Sequence, residues 1–149
     1  METMDAVQIA GGVHRVVSIS FVIIAIWLGF RSVRGIIKAL PYAQLDKVLA
    51  YSFIIGLYLQ LLLGLLLFTN LSIFGYSVQK APSSVVEVSD RFWSIEHIVL
   101  MLFALFISNL GLIFASKTTL AADKHRKILV YYSASLVLIA LSLASIYWK

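Results

Sequence analysis

Residues 48–79 contain no charged side chain. A bilayer core takes about 20 mostly apolar residues per helix, so this segment exceeds one span. Asn70, Ser72 and Gly75 mark its exit, which predicts a helix over roughly 48–69. Residues 16–30 are also uncharged, and their apolar character reaches back to Ala10, predicting a helix over roughly 10–30. Residues 92–116 are interrupted only by Glu96 and His97 and make a third helix; the uncharged residues 128–148 make a fourth. The expected fold is all-α: an integral membrane four-helix bundle forming one transmembrane domain over 1–149. An open sheet is excluded because lipid leaves its edge hydrogen bonds unsatisfied.

Composition agrees. Hydrophobic residues make up 61% and charged residues 13%, with a mean hydropathy of +0.97. A soluble domain is about half apolar and about a quarter charged. Too few charges remain to cover a water-facing surface, which excludes disorder and a water-soluble enzyme. The absence of cysteine removes disulfides, thiolate metal sites, iron–sulfur clusters and covalent c-type haem attachment. Glu2 and Asp5 stand where a signal peptide would be basic, so the first helix is expected to be retained. There is no internal repeat.

The charges give a direction. Segments 31–47 and 117–127 hold eight basic residues (Arg31, Arg34, Lys38, Lys47, Lys117, Lys124, Arg126, Lys127) against Asp46 and Asp123. The rest of the chain holds four basic and five acidic residues. The positive-inside rule therefore predicts both termini on the outer, periplasmic side of a bacterial inner membrane. The net charge of +5 is read as orientation, with no nucleic-acid partner. Trp93, Tyr147 and Trp148 then fall at the outer interface, in an aromatic belt. His125, within Asp123-Lys124-His125-Arg126-Lys127, is read as part of a solvated cytoplasmic run. In the connection 70–91, Ser89 or Asp90 is the expected cap of the third helix.

Ionisable groups inside spans are costly and point to function. Here they are His14, Arg15, Glu96 and His97. Each histidine is expected about one turn in from the outer end of its helix. Two histidines at matched depth on different helices suit bis-imidazole ligation of one haem b, as the metal ligands. Gly11 and Gly12 would let a flat macrocycle approach, while Met101, Ala104 and Ser108 follow His97 on one face. Arg15 and Arg91 sit where propionates need cations. The alternative is a structural polar cluster, with Arg15 snorkelling or paired to Glu96. A second haem needs a ligand about 14 residues along each helix, where Leu28 and Gly111 stand.

Gly56, Gln60 and Gly64 recur at i, i+4, i+8 and read as a packing seam, with a quinone or haem contact by Gln60 as the sharper reading. Ser133, Ser135, Ser142, Ser145 and Asn109 read as interhelical hydrogen bonders. No phosphate-binding glycine loop, nucleophile–base pair or metal-spaced carboxylate pair is present, so no autonomous catalytic constellation is expected. The midplanes lack broken helices and ionisable groups, which argues against a carrier.

The stretch Arg91-Phe92-Trp93-Ser94-Ile95-Glu96-His97-Ile98-Val99-Leu100-Met101 is similar to the third-helix motif of small four-helix bacterial membrane proteins labelled cytochrome b-like. The basic third connection and the aromatic near the end of the last helix match as well. That resemblance implies haem and electron transfer, and carries over His97 with Glu96. The group's first helix opens His-x-Gly-hydrophobic-Arg. In Ala10-Gly11-Gly12-Val13-His14 the histidine position holds Ala10, and His14 stands where arginine would be. Two functions follow. One is a haem b electron-transfer protein or subunit near the periplasmic face, with quinone or a periplasmic redox protein as partner. The other is a haem-free accessory subunit of a larger respiratory or secretion complex.

Overall fold

The computed structural model describes residues 6–73 and 85–144, with side chains described over 8–67 and 95–144. Four helices fill it: α1 (Ala6–Ile37), α2 (Gln44–Ile73), α3 (Val85–Ser116) and α4 (Ala121–Ala144). Each is long and apolar enough to cross a membrane. Around the bundle, α1 packs on α2 and α4, and α3 on α2 and α4, leaving α1/α3 and α2/α4 as diagonals. The α1–α2 and α3–α4 connections share one end, called here the basic end. The start of α1 and the end of α4 lie towards the other.

The helices run further than the apolar stretches predict. At about 1.5 Å per residue, the 32 residues of α1 span about 48 Å against a hydrocarbon core of about 30 Å. Arg31 and Arg34 continue α1, and Asp46 and Lys47 open α2, because charge ends a hydrophobic span without ending a helix. Ser89 and Asp90 fall inside α3, so neither caps it. What stops α1 is backbone geometry. The Leu40 N–H donates to the Gly35 carbonyl at 3.0 Å, Ala39 takes a left-handed φ of 49°, and Pro41 follows. This is a Schellman turn with alanine where glycine is usual. The last carbonyls of α3 are met by Ser116, Thr118 and the ammonium of Lys127.

The bundle is apolar outside as well as inside. Ile26 is 67% exposed and Phe30 64%, a surface suited to lipid. The core centres on Phe53, whose ring lies 4.6 Å from that of Phe21 on α1 and 4.4 Å from that of Tyr132 on α4. The Tyr132 hydroxyl crosses the diagonal to the Ala50 carbonyl at 3.1 Å. α3 meets α4 along Ala104, Ser108, Gly111 and Ala115, all buried. Small residues at this spacing bring helices close. Ser108 Oγ donates to Ser135 Oγ at 2.7 Å, and Ser135 Oγ to the Ala104 carbonyl at 2.9 Å. Asn109, expected to bond between helices, instead donates to the Leu105 carbonyl of its own helix. Ser133 is exposed, and Ser145 lies outside the described residues.

A methyl at Gly111 would overlap the Tyr131 Cβ, which is tied to backbone and cannot swing away. Gly111→Ala should therefore destabilise the bundle by about 1–3 kcal/mol despite its better helix propensity. Gly64→Ala, where a methyl meets nothing within 4 Å, should be neutral or stabilising by up to about 1 kcal/mol. Thermal unfolding in neutral detergent measures both, and equal effects would contradict the close approach.

Candidate functional site

At the end opposite the basic connections, α1 and α3 carry the two histidines expected as ligands. Both are partly buried. They lie about two and about three turns inside their helices rather than one, because α1 and α3 begin well before their apolar stretches. At the standard helical rise His14 stands about 10 Å from Phe21 along α1, and Ser142, the partner of His97, about 15 Å from Tyr132 along α4.

Each is held by a neighbouring helix. His97 Nδ1 lies 2.6 Å from Ser142 Oγ of α4. The carbonyl of His14 accepts from Ser18 Oγ at 2.8 Å and from Gln60 Nε2 at 3.1 Å, and Gln60 Nε2 also reaches Ser18 Oγ at 2.6 Å. Gln60 is thus the interhelical hydrogen bonder its seam suggested, and a methyl at Gly56 beside it would sit 3.2 Å from the Phe21 ring. Two buried polar atoms here have no hydrogen-bond partner: His14 Nδ1 and Gln60 Oε1.

Other expected residues fall variously. Met101, Ala104 and Ser108 do share a buried face with His97, turned towards Ser135 and Ser142 of α4. A methyl added at Gly11 or Gly12 meets nothing within 4 Å among the described residues. Arg15 and Glu96 are exposed. The Arg91 and Trp93 side chains, and Tyr147 and Trp148, lie outside the described residues. Of the places a second ligand pair would occupy, Leu28 is in the core and Gly111 abuts Tyr131. Among the described residues no group of three or more His, Cys, Asp or Glu side chains is placed to hold a metal ion; a bis-imidazole site needs two.

The basic end holds a second polar cluster that the sequence reading missed. His125 is 1% exposed, not part of a solvated run. α4 begins at Ala121, so residue 125 is already one turn inside it. It shares the buried stripe of Ile128, Tyr132, Ser135 and Ser142, while its neighbour Arg126 faces out. The imidazole lies against Gly35, where a methyl would overlap it, and meets the Tyr42 ring edge-on with centroids 5.0 Å apart. Both ring nitrogens and the nearby Ser32 Oγ are buried without a partner. Ser32 lines a cavity of about 20 Å³, room for about one water.

Beside it, Asp46 is 1% exposed and makes a bidentate pair with Arg31: Nε to Oδ1 at 2.6 Å and Nη2 to Oδ2 at 3.2 Å. Its Oδ2 also accepts from the Ala43 N–H at 2.8 Å, the returning half of a capping box. Sequence spacing could have flagged this, since Asp46 is the third residue of α2. Tyr42 leans over the pair and donates to the Asp46 carbonyl at 3.4 Å. Burial first, then the charge of Asp46 and the nearby Tyr51, push the Tyr42 phenol up to about 12.

Asp46→Asn keeps a cap acceptor but loses the charge pair, and should cost about 1–3 kcal/mol. Asp46→Ala also orphans the Ala43 N–H and should cost more. Equal losses on thermal unfolding would mean the cap contributes nothing. The raised Tyr42 value means that its neutral form is favoured by folding. Its contribution is complete below about pH 10 and is lost as pH rises through about 12. Tyr42→Phe should remove that part of the alkaline decline in melting temperature; an unchanged difference between wild type and variant across this window would refute it. Compared with protein families, curated proteins and solved structures, the chain matches none.

Proposed function

We propose that this chain is a b-type haem electron-transfer protein or subunit of a bacterial inner membrane, in which His14 and His97 would hold the haem. The observation that carries the reading is that both histidines lie towards the same end of diagonal helices, one ring beside Ser142 Oγ and the other with a buried Nδ1 lacking any partner. Those features fit a bis-imidazole site. In the ligating tautomer, the His97 Nδ1–H donates to Ser142 Oγ, leaving the lone pair on Nε2 and strengthening the imidazole as a donor. Gln60 and Ser18 fix the backbone at His14. Exposed Arg15, with Arg91, would supply the cations that propionates require. Haem held there would supply one-electron transfer.

The eight basic residues at the other end support a cytoplasmic location for it under the positive-inside rule. The histidines then face the periplasmic side, and a single site there exchanges electrons with quinol or a periplasmic redox protein without carrying them across the bilayer. The resemblance to cytochrome b-like proteins supports the same reading through His97 and Glu96.

A second reading, a haem-free accessory subunit of a respiratory or secretion complex, is favoured by Ala10 at the family's first-helix histidine position. It also draws on the Gln60–Ser18 and His97–Ser142 hydrogen bonds, which close the bundle without a cofactor. A reduced-minus-oxidised absorbance spectrum with a pyridine haemochrome assay on the purified protein separates the two. The expected result is a low-spin haem b α band at about one haem per chain. His97→Ala should abolish it, and Ser142→Ala should weaken haem retention about 10–100-fold. A flat spectrum from folded protein would reject the haem reading and leave the accessory one.

A further inference from the structure

α2 and α3 are the least closely packed neighbours in the ring. Where they part at the basic end, a cleft of about 280 Å³ opens, lined by Tyr42, Lys47, Tyr51, Leu112, Ser116 and Lys124. Its two cations come from different helices and play equivalent parts in each. Lys47 is the fourth residue of α2 and Lys124 the fourth of α4, each following an aspartate. A lysine in a helix's first turn faces the positive end of the backbone dipole, an unfavourable place for a cation. Neither ammonium has a hydrogen-bond or ion-pair partner among the described residues. Asp46, beside Lys47, is already committed to Arg31 and Ala43.

Lys47 and Lys124 are the only charged residues lining the cleft, and Leu112 and Ala115 are its apolar ones. The Tyr42 phenol stays neutral at physiological pH, so it adds no competing negative charge. Arg34, Lys38 and Arg126 at the same end are exposed and are not among the lining residues. Lys47 and Lys124 stand just before the uncharged stretches 48–79 and 128–148, which is headgroup depth where those stretches fill a bilayer core of about 30 Å.

We propose that this cleft binds the phosphate of an anionic phospholipid, held by Lys47 and Lys124, with the glycerol and acyl chains lying in the groove between α2 and α3. The ammoniums pair the phosphate oxygens, and the exposed Tyr51 and Ser116 complete the lining. The site is independent of any haem, lying at the opposite end of the bundle.

Native mass spectrometry of the full chain from neutral detergent tests this, using phosphatidylglycerol, phosphatidylcholine and inorganic phosphate as probes. Phosphatidylglycerol should be retained at one copy per chain, at least about tenfold more tightly than phosphatidylcholine. The double variant Lys47→Gln/Lys124→Gln should weaken its binding about tenfold or more. Lys47→Arg/Lys124→Arg should preserve binding, and Lys38→Gln/Arg126→Gln, which removes the same charge from the same end, should leave it unchanged. Equal loss in the two glutamine variants would reduce the effect to general surface charge and overturn the site. Equal retention of phosphatidylcholine would overturn it as well. Displacement of the lipid by millimolar inorganic phosphate, with phosphate itself retained, would assign the cleft to free phosphate and overturn the lipid assignment.

Discussion

Helices that are apolar on every face gain little by turning one face inward when their surroundings are hydrocarbon. Pairing among such helices rests on close backbone approach and on hydrogen bonds that lipid cannot replace. This bundle uses both. Arg31 and Asp46 tie α1 to α2 at the basic end, and Gln60 ties the same helices near His14. Ser108, Ser135 and the Ala104 carbonyl stitch α3 to α4 where small residues bring the two together. The Tyr132 hydroxyl adds a contact across the diagonal. Neutral interhelical bonds in membranes contribute about 0.6 kcal/mol on average, so their combined geometry, with the interlocking of Gly111 and Tyr131, fixes the arrangement.

The two ends differ in how polarity is spent. At the basic end, short connections bring the start of one helix beside the finish of another, and buried polar groups gather there. Asp46 serves an ion pair and a helix cap with one carboxylate. His125 stacks on Gly35, in a space that only a residue without a side chain leaves open. At the opposite end, the polar atoms lie within the bundle's length. Gln60 and Ser142 each reach from one helix to a histidine-bearing neighbour, grasping the backbone in one case and the ring in the other. The proposed electron-transfer role belongs to that second end and the proposed lipid site to the first. A perturbation of one need not disturb the other, since the Phe21–Phe53–Tyr132 layer separates them.

The aspartate–lysine step that opens both α2 and α4 illustrates how adjacent charges divide their work. Successive helical residues point about 100° apart. In α2, Asp46 turns inward to Arg31 and Ala43 while Lys47 turns towards the cleft. In α4, Lys124 reaches the same cleft and the following residue, His125, enters the interior. Charges that look like a single solvated run along the chain are separated by the helix into inward and outward sets.

The four helices and their membrane-spanning length were legible in the sequence because they depend on hydrophobic length, a property local to each segment. So was the grouping of the cations at one end, and so was the seam at Gly56 and Gln60, but not its expected continuation to Gly64, where an added methyl meets nothing within 4 Å among the described residues. Helix boundaries were not legible from apolarity, since helices continue past the last lipid-facing residue until a turn such as that at Ala39 stops them. The burial of His125 was hidden because a charged neighbourhood reads as solvent, and only α4's early start turns that residue inward. The Arg31–Asp46 pair and the convergence of Lys47 with Lys124 join residues far apart in the chain. The sequence by itself determined that four apolar helices form and which end bears the positive charge, because both follow from composition along each segment. Only the tertiary structure decided which polar side chains meet, because that depends on how each helix is rotated about its axis against its neighbours, and apolarity on every face leaves that rotation unspecified.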